Sequence, residues 1–193
     1  YPSMLSNIFR YKGDELPMEV VGEWLSRDDH QRYVCIDLPS KKISDDTAML
    51  INSLAMRCRR LHTLKLGGNR IGDEGAASLA MAMPHLSAIT HLDLSSNSIT
   101  GKGADNIAGA FLREQVGGSS SSRSRAPGSE NGSASALPGL EDAGRQGGRA
   151  GGTRLLDLSH NPLEDSGVEA VARHLRHQAR LRLRGVNCTH NGA

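Results

Sequence analysis

The chain has 193 residues, is 37% hydrophobic and 3% aromatic, and carries a formal net charge of +2 at neutral pH. Its length suits one ordinary domain, and its near-neutral charge argues against a nucleic acid as an obligate partner. The few aromatic residues provide no base-stacking platform, so Leu, Ile and Ala must form the core.

The cysteines and the hydropathy of the chain narrow the class of protein further. Cys35, Cys58 and Cys188 are odd in number and include no C-x-x-C pair, so neither a disulfide framework nor a zinc site is predicted. We therefore expect reduced thiols and a cytoplasmic location. No apolar run is long enough to predict a transmembrane helix. Two glycosylation sequons, at Asn131 and Asn187, are short enough to arise by chance.

Residues 1–33 contain one helix-forming stretch. Glu15 to Ser26 is predicted as a helix with Pro17 in its first turn, and its apolar side chains fall on one side. We interpret residues 1–33 as an N-terminal cap or a degenerate repeat. The alternative is the tail of another domain, since Leu16 to Val21 faintly resembles an F-box.

A phrase then recurs at a constant spacing. Leu64 to Ile71 and Leu92 to Ile99 both read L-x-L-x-x-N-x-I, and residues 36–43 form a third copy at the same spacing, in which Lys41 replaces the Asn. Alternation of apolar and polar residues predicts a short strand in each copy. The Asn is expected to turn the chain, because Asn tolerates left-handed geometry and its amide can satisfy loop backbone groups.

A helix is predicted after each strand. Ser44 is expected as the N-cap of the first, and acidic residues open the first two. The predicted buried positions are spaced by three and four residues. They are Ala48, Ile51, Leu54, Ala55 and Cys58, then Ala76, Leu79, Ala80 and Met83, then Ala104, Ile107, Ala108 and Phe111.

The pattern stops at a Gly- and Ser-rich segment. Residues 116–152 contain ten Gly and eight Ser, and we expect this segment to be disordered. The phrase resumes at Leu156, in phase if one repeat carries a 36-residue insertion. A fourth helix should bury Val168, Val171, Ala172 and Leu175. Leu181 to Leu183 is predicted as a fifth strand, 25 residues after Leu156, and no turn Asn follows it at the usual spacing because Asn187 comes one place late.

These copies resemble the leucine-rich repeat family, in its 28-residue, ribonuclease-inhibitor-like form. The resemblance implies an α/β solenoid, or horseshoe, with parallel strands on the concave face and helices on the convex face. The predicted organisation is residues 1–33 as cap or degenerate repeat, 34–115 as repeats one to three, 116–152 as insertion, and 153–193 as repeat four and a partial repeat five.

Strand residues that face away from the helices are the candidate site. Across successive repeats their charges should form a mixed but mostly acidic column. The resemblance implies a non-enzymatic scaffold that binds another protein through this concave face. The predicted partner-binding residues are Asp37, Thr63, Lys65, His91, Asp93, Asp157 and Arg182.

No catalytic, metal or cofactor site is predicted. Gly101-Lys102 lacks the earlier glycine of a phosphate loop and instead begins a repeat helix. His160 is interpreted as a solvated turn residue, and His174 and His177 have no third ligand nearby in the sequence. Arg173, Arg176, Arg180 and Arg182 form a basic stretch that is most simply a solvated surface.

Two alternatives remain open at this point. The phrase Ile71 to Ala76 is similar to Ran GTPase-activating proteins, which would make the chain a regulator of a small GTPase, although no residue matches a catalytic Arg. The repeats would also fit the recognition fragment of a larger immune or ubiquitin-ligase receptor.

Overall fold

The computed structural model describes residues 7–112, 154–176 and 183–189. The strands in these ranges are β1 (Ile8–Arg10), β2 (Cys35–Asp37), β3 (Thr63–Lys65), β4 (His91–Asp93), β5 (Arg154–Asp157) and β6 (Leu183–Asn187). The helices are α1 (Met18–Leu25), α2 (Asp45–Arg57), α3 (Asp73–Ala82), α4 (Gly101–Phe111) and α5 (Glu164–Arg176). Short 3-10 turns occupy His30–Arg32 and Met83–His85.

The strands form one parallel sheet in sequential order, and each helix packs against the next helix along the chain. A strand and one helix cannot bury an apolar face alone, so every repeat is stabilised by its neighbours. Each central strand buries the residue just before its last one: Ile36, Leu64, Leu92 and Leu156. This arrangement confirms the predicted leucine-rich repeat solenoid.

The predicted cores of the first three repeats are confirmed, apart from one partly buried alanine. Twelve of the thirteen predicted helix positions are buried, and Ala80 packs against the core while partly exposed. Loop positions that follow the strands, such as Leu66, Ile71 and Ile99, are also buried. The periodic positions therefore fill the space between the sheet and the helices.

The N-terminal residues contribute a strand that the sequence analysis did not predict. β1 pairs with β2 in parallel and places Phe9 opposite Ile36, a spacing one residue shorter than that of the repeats. The ring of Phe9 packs edge-on against those of Trp24 and Tyr33, with centroids 4.3 and 5.2 Å away. α1 is shorter than the predicted helix because Pro17 lies in extended backbone before it. A terminal cap or degenerate repeat remains our interpretation of residues 1–33.

The predicted register of the fifth strand is wrong. β6 places Val186 opposite Leu156 and Asn187 opposite Asp157. Asn187 therefore takes the strand position held by Asp157, and is not the turn Asn. Val186 lies two positions later than the constant spacing of the earlier repeats requires, and the β5–β6 pairing contains a register irregularity. A pattern search at constant period cannot follow such a shift.

The predicted burial of Val168 is also wrong, because this side chain is 40% exposed. Val168 matches Ala104 of α4, which is buried and followed by another helix in the stack. In the part of the chain that the structure describes, no helix follows α5. Val171 is buried as predicted, Ala172 and Leu175 are partly exposed, and Ala170 is buried in addition.

The disordered insertion at 116–152 and the site residue Arg182 are among the sequence predictions that lie outside the described residues. The strands on either side of the insertion are direct neighbours. His91 pairs with Leu155 and Asp93 with Asp157, in the register that joins uninterrupted repeats. The sheet therefore continues across the inserted residues.

Candidate functional site

Two rows of side chains cross the sheet on the face opposite the buried strand residues. Strand register aligns each row across repeats. The first row consists of Arg10, Asp37, Lys65, Asp93, Asp157 and Asn187. The second consists of Ile8, Cys35, Thr63, His91 and Leu155. We call this surface the concave face; it brings together all six predicted site residues that the structure describes.

Charge in the first row is more balanced than the sequence predicted. Arg10, on the strand that was not predicted, donates from Nε to Oδ2 of Asp37 at 2.7 Å. Lys65 is exposed and lies between Asp37 and Asp93. Asp93 and Asp157 are direct neighbours, and strands of a sheet lie about 4.8 Å apart. The acidic character of the row is therefore concentrated at β4 and β5.

Asp93 and Asp157 also hold their own loops. Oδ1 of Asp93 accepts hydrogen bonds from the backbone N–H and the hydroxyl of Ser95, at 3.0 and 2.7 Å. Asp157 does the same with Ser159, at 2.9 and 2.7 Å. One carboxylate oxygen of each is thus fixed. The repeated Asp-Leu-Ser is the sequence signal for this role, in addition to the surface charge that it predicts.

Asn187 belongs to the same set of loop contacts. Its Oδ1 accepts from the backbone N–H and hydroxyl of Thr189, at 3.2 and 3.0 Å. Its Nδ2 donates to Oδ2 of Asp157 at 3.3 Å. An amide at this place adds a donor where a third carboxylate would add repulsion. The sequon at Asn187 therefore has a structural explanation as a variant of the Asp-Leu-Ser turn.

The second row is less polar. Cys35, Thr63 and His91 are partly exposed neighbours, and Nδ1 of His91 lies 2.9 Å from the hydroxyl of Thr90. Burial, and then the charge of Asp37, raise the pKa of the Cys35 thiol. Cys35 is therefore protonated at neutral pH and is a poor nucleophile. This row offers polar and apolar contacts rather than reactive groups.

A ladder of buried asparagines supports the edge where the strands end. Oδ1 of Asn69, Asn97 and Asn161 accepts from a backbone N–H of the preceding repeat: Ile43, Ile71 and Ile99, at 3.1, 3.0 and 3.1 Å. Each Nδ2 donates to carbonyls of its own and the preceding repeat. The predicted satisfaction of loop backbone groups is confirmed.

The prediction that the Asn itself adopts the left-handed backbone geometry is wrong, because the residue before each Asn adopts it. Gly68, Ser96 and His160, each directly before the Asn, have φ angles of 71°, 51° and 57°. The Asn side chain must point into the loop to reach the carbonyls, so its neighbour makes the turn. His160 is exposed, as expected of a turn residue.

Aspartates at the helix starts form a second set of contacts between repeats. Oδ1 of Asp45 accepts from the backbone N–H groups of Gly72 and Gly75, at 2.7 and 3.0 Å. Asp73 accepts in the same way from Thr100 and Gly103, at 2.9 and 3.1 Å. Each carboxylate therefore caps the N-terminus of the next helix. This accounts for the Ile71 to Ala76 phrase through packing alone.

Features of other site classes are not found in the described ranges. No group of three His, Cys, Asp or Glu residues there could hold a metal ion. Thr100 caps α4, and Gly101 and Lys102 lie in its first turn, as expected for a repeat helix. None of the described helices could cross a membrane. Arg173 and Arg176 are exposed on α5, while Arg180 lies outside the description.

Comparison with known proteins agrees with this architecture. A family model for the leucine-rich repeat matches residues 57–80, 85–108 and 154–172. The chain is 42% identical to Protein NLRC5 of Homo sapiens over 69 residues, which are 36% of this chain and 4% of that protein. It is 37% identical to Protein NLRC5 of Mus musculus over 78 residues, 40% of this chain and 4% of that one. The chain thus spans a small fraction of the length of these relatives.

Proposed function

We propose that this leucine-rich repeat protein is a non-enzymatic module that binds a partner protein through its concave face. The observation that carries the proposal is the continuous register of β1 to β5, which aligns outward side chains in two rows. Aligned rows present one surface to an elongated partner, and their charges set specificity and encounter rate. The loop contacts of Asp93 and Asp157 hold one carboxylate oxygen of each in place before binding.

The test is capture of partners from lysate by the intact chain and by matched variants. Asp93→Asn with Asp157→Asn removes charge but keeps the oxygen that holds the loop. Glu74→Gln with Glu169→Gln makes the same change on exposed helix residues. We expect a partner that the intact chain and the helix variant retain, and that the concave-face variant loses. A partner retained equally by all three would contradict concave-face binding.

A second candidate function is the recognition part of a larger immune or ubiquitin-ligase receptor. It is supported by the long relatives, which match this chain over only 4% of their length. An antibody against the repeats should then detect an endogenous protein much larger than 20.6 kDa. Detection of a 20.6 kDa protein alone would exclude this candidate. Regulation of a small GTPase has no such support. The phrase Ile71 to Ala76 suggested it, and Asp73 in that phrase serves to cap the next helix.

A further inference from the structure

A cationic surface lies where helices end and the next strands begin, away from the concave face. Arg57 ends α2, and Arg59, Arg60 and His62 follow it before β3; all four are exposed. The sequence has no Asp or Glu between Asp46 and Asp73. We call these four residues, together with Met56 and Met81, the arginine edge.

The arginine edge keeps unpaired charge. The neighbouring Arg27 and Arg32 have partners, Glu23 at 3.7 Å and Asp29 at 3.0 Å. Nη1 of Arg57 donates to the carbonyl of Leu25 at 2.5 Å, as a residue at a helix C-terminus can. Within the described ranges, Arg59 and Arg60 form no ion pair. Their guanidinium groups are therefore available to a ligand.

The loop that carries these arginines is held at both ends. Cys58 and Leu61 are buried, and the N–H of Leu61 donates to the carbonyl of Cys58 at 2.9 Å. Nδ1 of His62 lies 2.6 Å from the carbonyl of Arg60, and the N–H of His62 donates to Val34. A short, anchored loop loses little conformational freedom on binding, which favours affinity.

Exposed apolar side chains accompany the charge. Met56 is 39% exposed in the last turn of α2, and Met81 is 78% exposed in the last turn of α3, the next helix in the stack. Methionine is flexible and polarisable, and it adapts to the shapes of apolar partners. The arginine edge therefore combines cations with two adaptable apolar contacts.

We propose that the arginine edge docks an acidic segment of a partner protein that also carries apolar side chains. Arginine binds carboxylates through two parallel hydrogen bonds, and the methionines match apolar residues between the acidic ones. A nucleic acid or membrane surface fits less well. The chain has no Phe, Tyr or Trp between Tyr33 and Phe111 for base stacking or interfacial anchoring. This surface is separate from the concave face.

The probe is a fluorescein-labelled peptide in which Glu-Glu pairs alternate with single Leu residues, with a Gln-for-Glu peptide as its neutral counterpart. Fluorescence anisotropy with the full chain should show saturable binding of the acidic peptide only. Arg59→Glu with Arg60→Glu should weaken it at least about tenfold, because two attractions become repulsions. Met56→Ser with Met81→Ser should weaken it several-fold at unchanged charge.

The matched control is Arg70→Glu with Lys102→Glu, which reverses two exposed cations at the opposite edge of the repeats. It should leave the affinity within about twofold, because those charges lie where strands end, whereas the arginine edge lies where strands begin, and salt screens exposed charges that are well separated. No binding of the acidic peptide, or equal losses in control and arginine variants, would overturn the proposal. Arginine-dependent binding of phosphatidylserine vesicles or single-stranded RNA in preference to the peptide would do the same.

Discussion

Buried asparagine side chains join one repeat to the next. Asn97 is 8% exposed and connects the N–H of Ile71 with the carbonyls of Leu66 and Leu94. Removing such a side chain leaves buried backbone groups without partners, which costs more than the bonds themselves contribute. The ladder thus fixes the loops that border the concave face.

Asn97→Ala should lower the free energy of unfolding by about 1–3 kcal/mol. Urea denaturation of the variant beside the parent chain measures the change. Ser98→Ala, at an exposed neighbouring position, is the control and should change stability by less than about 0.5 kcal/mol. If the two variants proved equally stable, the asparagine ladder would not have the structural role assigned to it.

Burial of the Cys58 thiol makes the free energy of unfolding depend on pH in the alkaline range. Burial raises the pKa of Cys58 to about 12. Below about pH 9 both the folded and unfolded chains keep this proton, and the full stabilisation is present. Between about pH 9 and 12 only the unfolded chain releases it, so stability falls as pH rises.

Between pH 8 and pH 10 the parent chain should therefore lose about 1 kcal/mol more stability than Cys58→Ala. Urea denaturation of both at each pH provides the comparison, and the variant cancels the contributions of other titrating groups. Equal losses in the two proteins would show that this thiol does not stay protonated in the fold.

Helix starts are stabilised across repeats as well as within them. Asp73 opens α3 but accepts the N–H groups of Thr100 and Gly103 at the start of α4. Position 101, which follows Asp73 by one repeat, is glycine. It has no carboxylate that could accept hydrogen bonds from the N-terminus of α5. A side chain there would meet the backbone of Gly167, with a Cβ only 3.0 Å from its nitrogen. Close packing replaces the cap at that junction.

Asp73→Ala should destabilise the chain by about 1–2 kcal/mol, as loss of an N-cap does. Hydrogen exchange of the Thr100 and Gly103 amides should accelerate in particular. Glu74→Ala removes a neighbouring acidic residue that is exposed, and it should have little effect on those amides. Unchanged exchange at Thr100 and Gly103 in Asp73→Ala would contradict capping across repeats.

Regular repeats were predictable from the sequence, and irregular ones were not. β2 to β5 follow from apolar positions such as Ile36, Leu64 and Leu92, whose constant spacing reflects identical packing. The presence of β1 and the register of β6 were not predicted, because their spacings to the neighbouring strand break the period. The spacing of β1 is shorter than one repeat, and that of β6 is longer. In physical terms, β1 and β6 each pair with a strand on one side only within the described ranges, so fewer contacts fix their length and register.

The candidate site was predictable in position but not in chemistry. Alternation along each strand placed Asp37, Asp93 and Asp157 on one face. It could not show that Arg10 pairs with Asp37, because β1 was unknown, or that one oxygen of Asp93 binds its own loop. Such contacts depend on side-chain geometry that a periodic pattern does not contain.

The solenoid as a whole should tolerate loss of its insertion. β4 and β5 pair directly, so the inserted residues do not separate them in the sheet. Deleting Gly117 to Gly151 leaves seven residues between Phe111 and Arg154. The links from α2 to β3 and from α3 to β4 have five and eight residues, so the remaining chain is long enough.

The deletion should therefore raise the melting temperature by a few degrees and not lower it, since shortening the link about sixfold removes only about 1.6 kcal/mol of loop-closure cost. Differential scanning calorimetry of the two chains is the measurement. A substantial drop in melting temperature would mean that the inserted residues pack against the repeats.

The central claim is that the concave face binds the partner, and carboxylate footprinting of the complex with a captured partner tests it most directly. Carbodiimide labelling, read by mass spectrometry, reports the accessibility of each carboxyl group with and without the partner. We expect protection of Asp93 and Asp157 on the concave face and unchanged labelling of Glu74 and Glu169 on the helices. Protection of the helix carboxyl groups, with Asp93 and Asp157 labelled as in the free chain, would contradict the account.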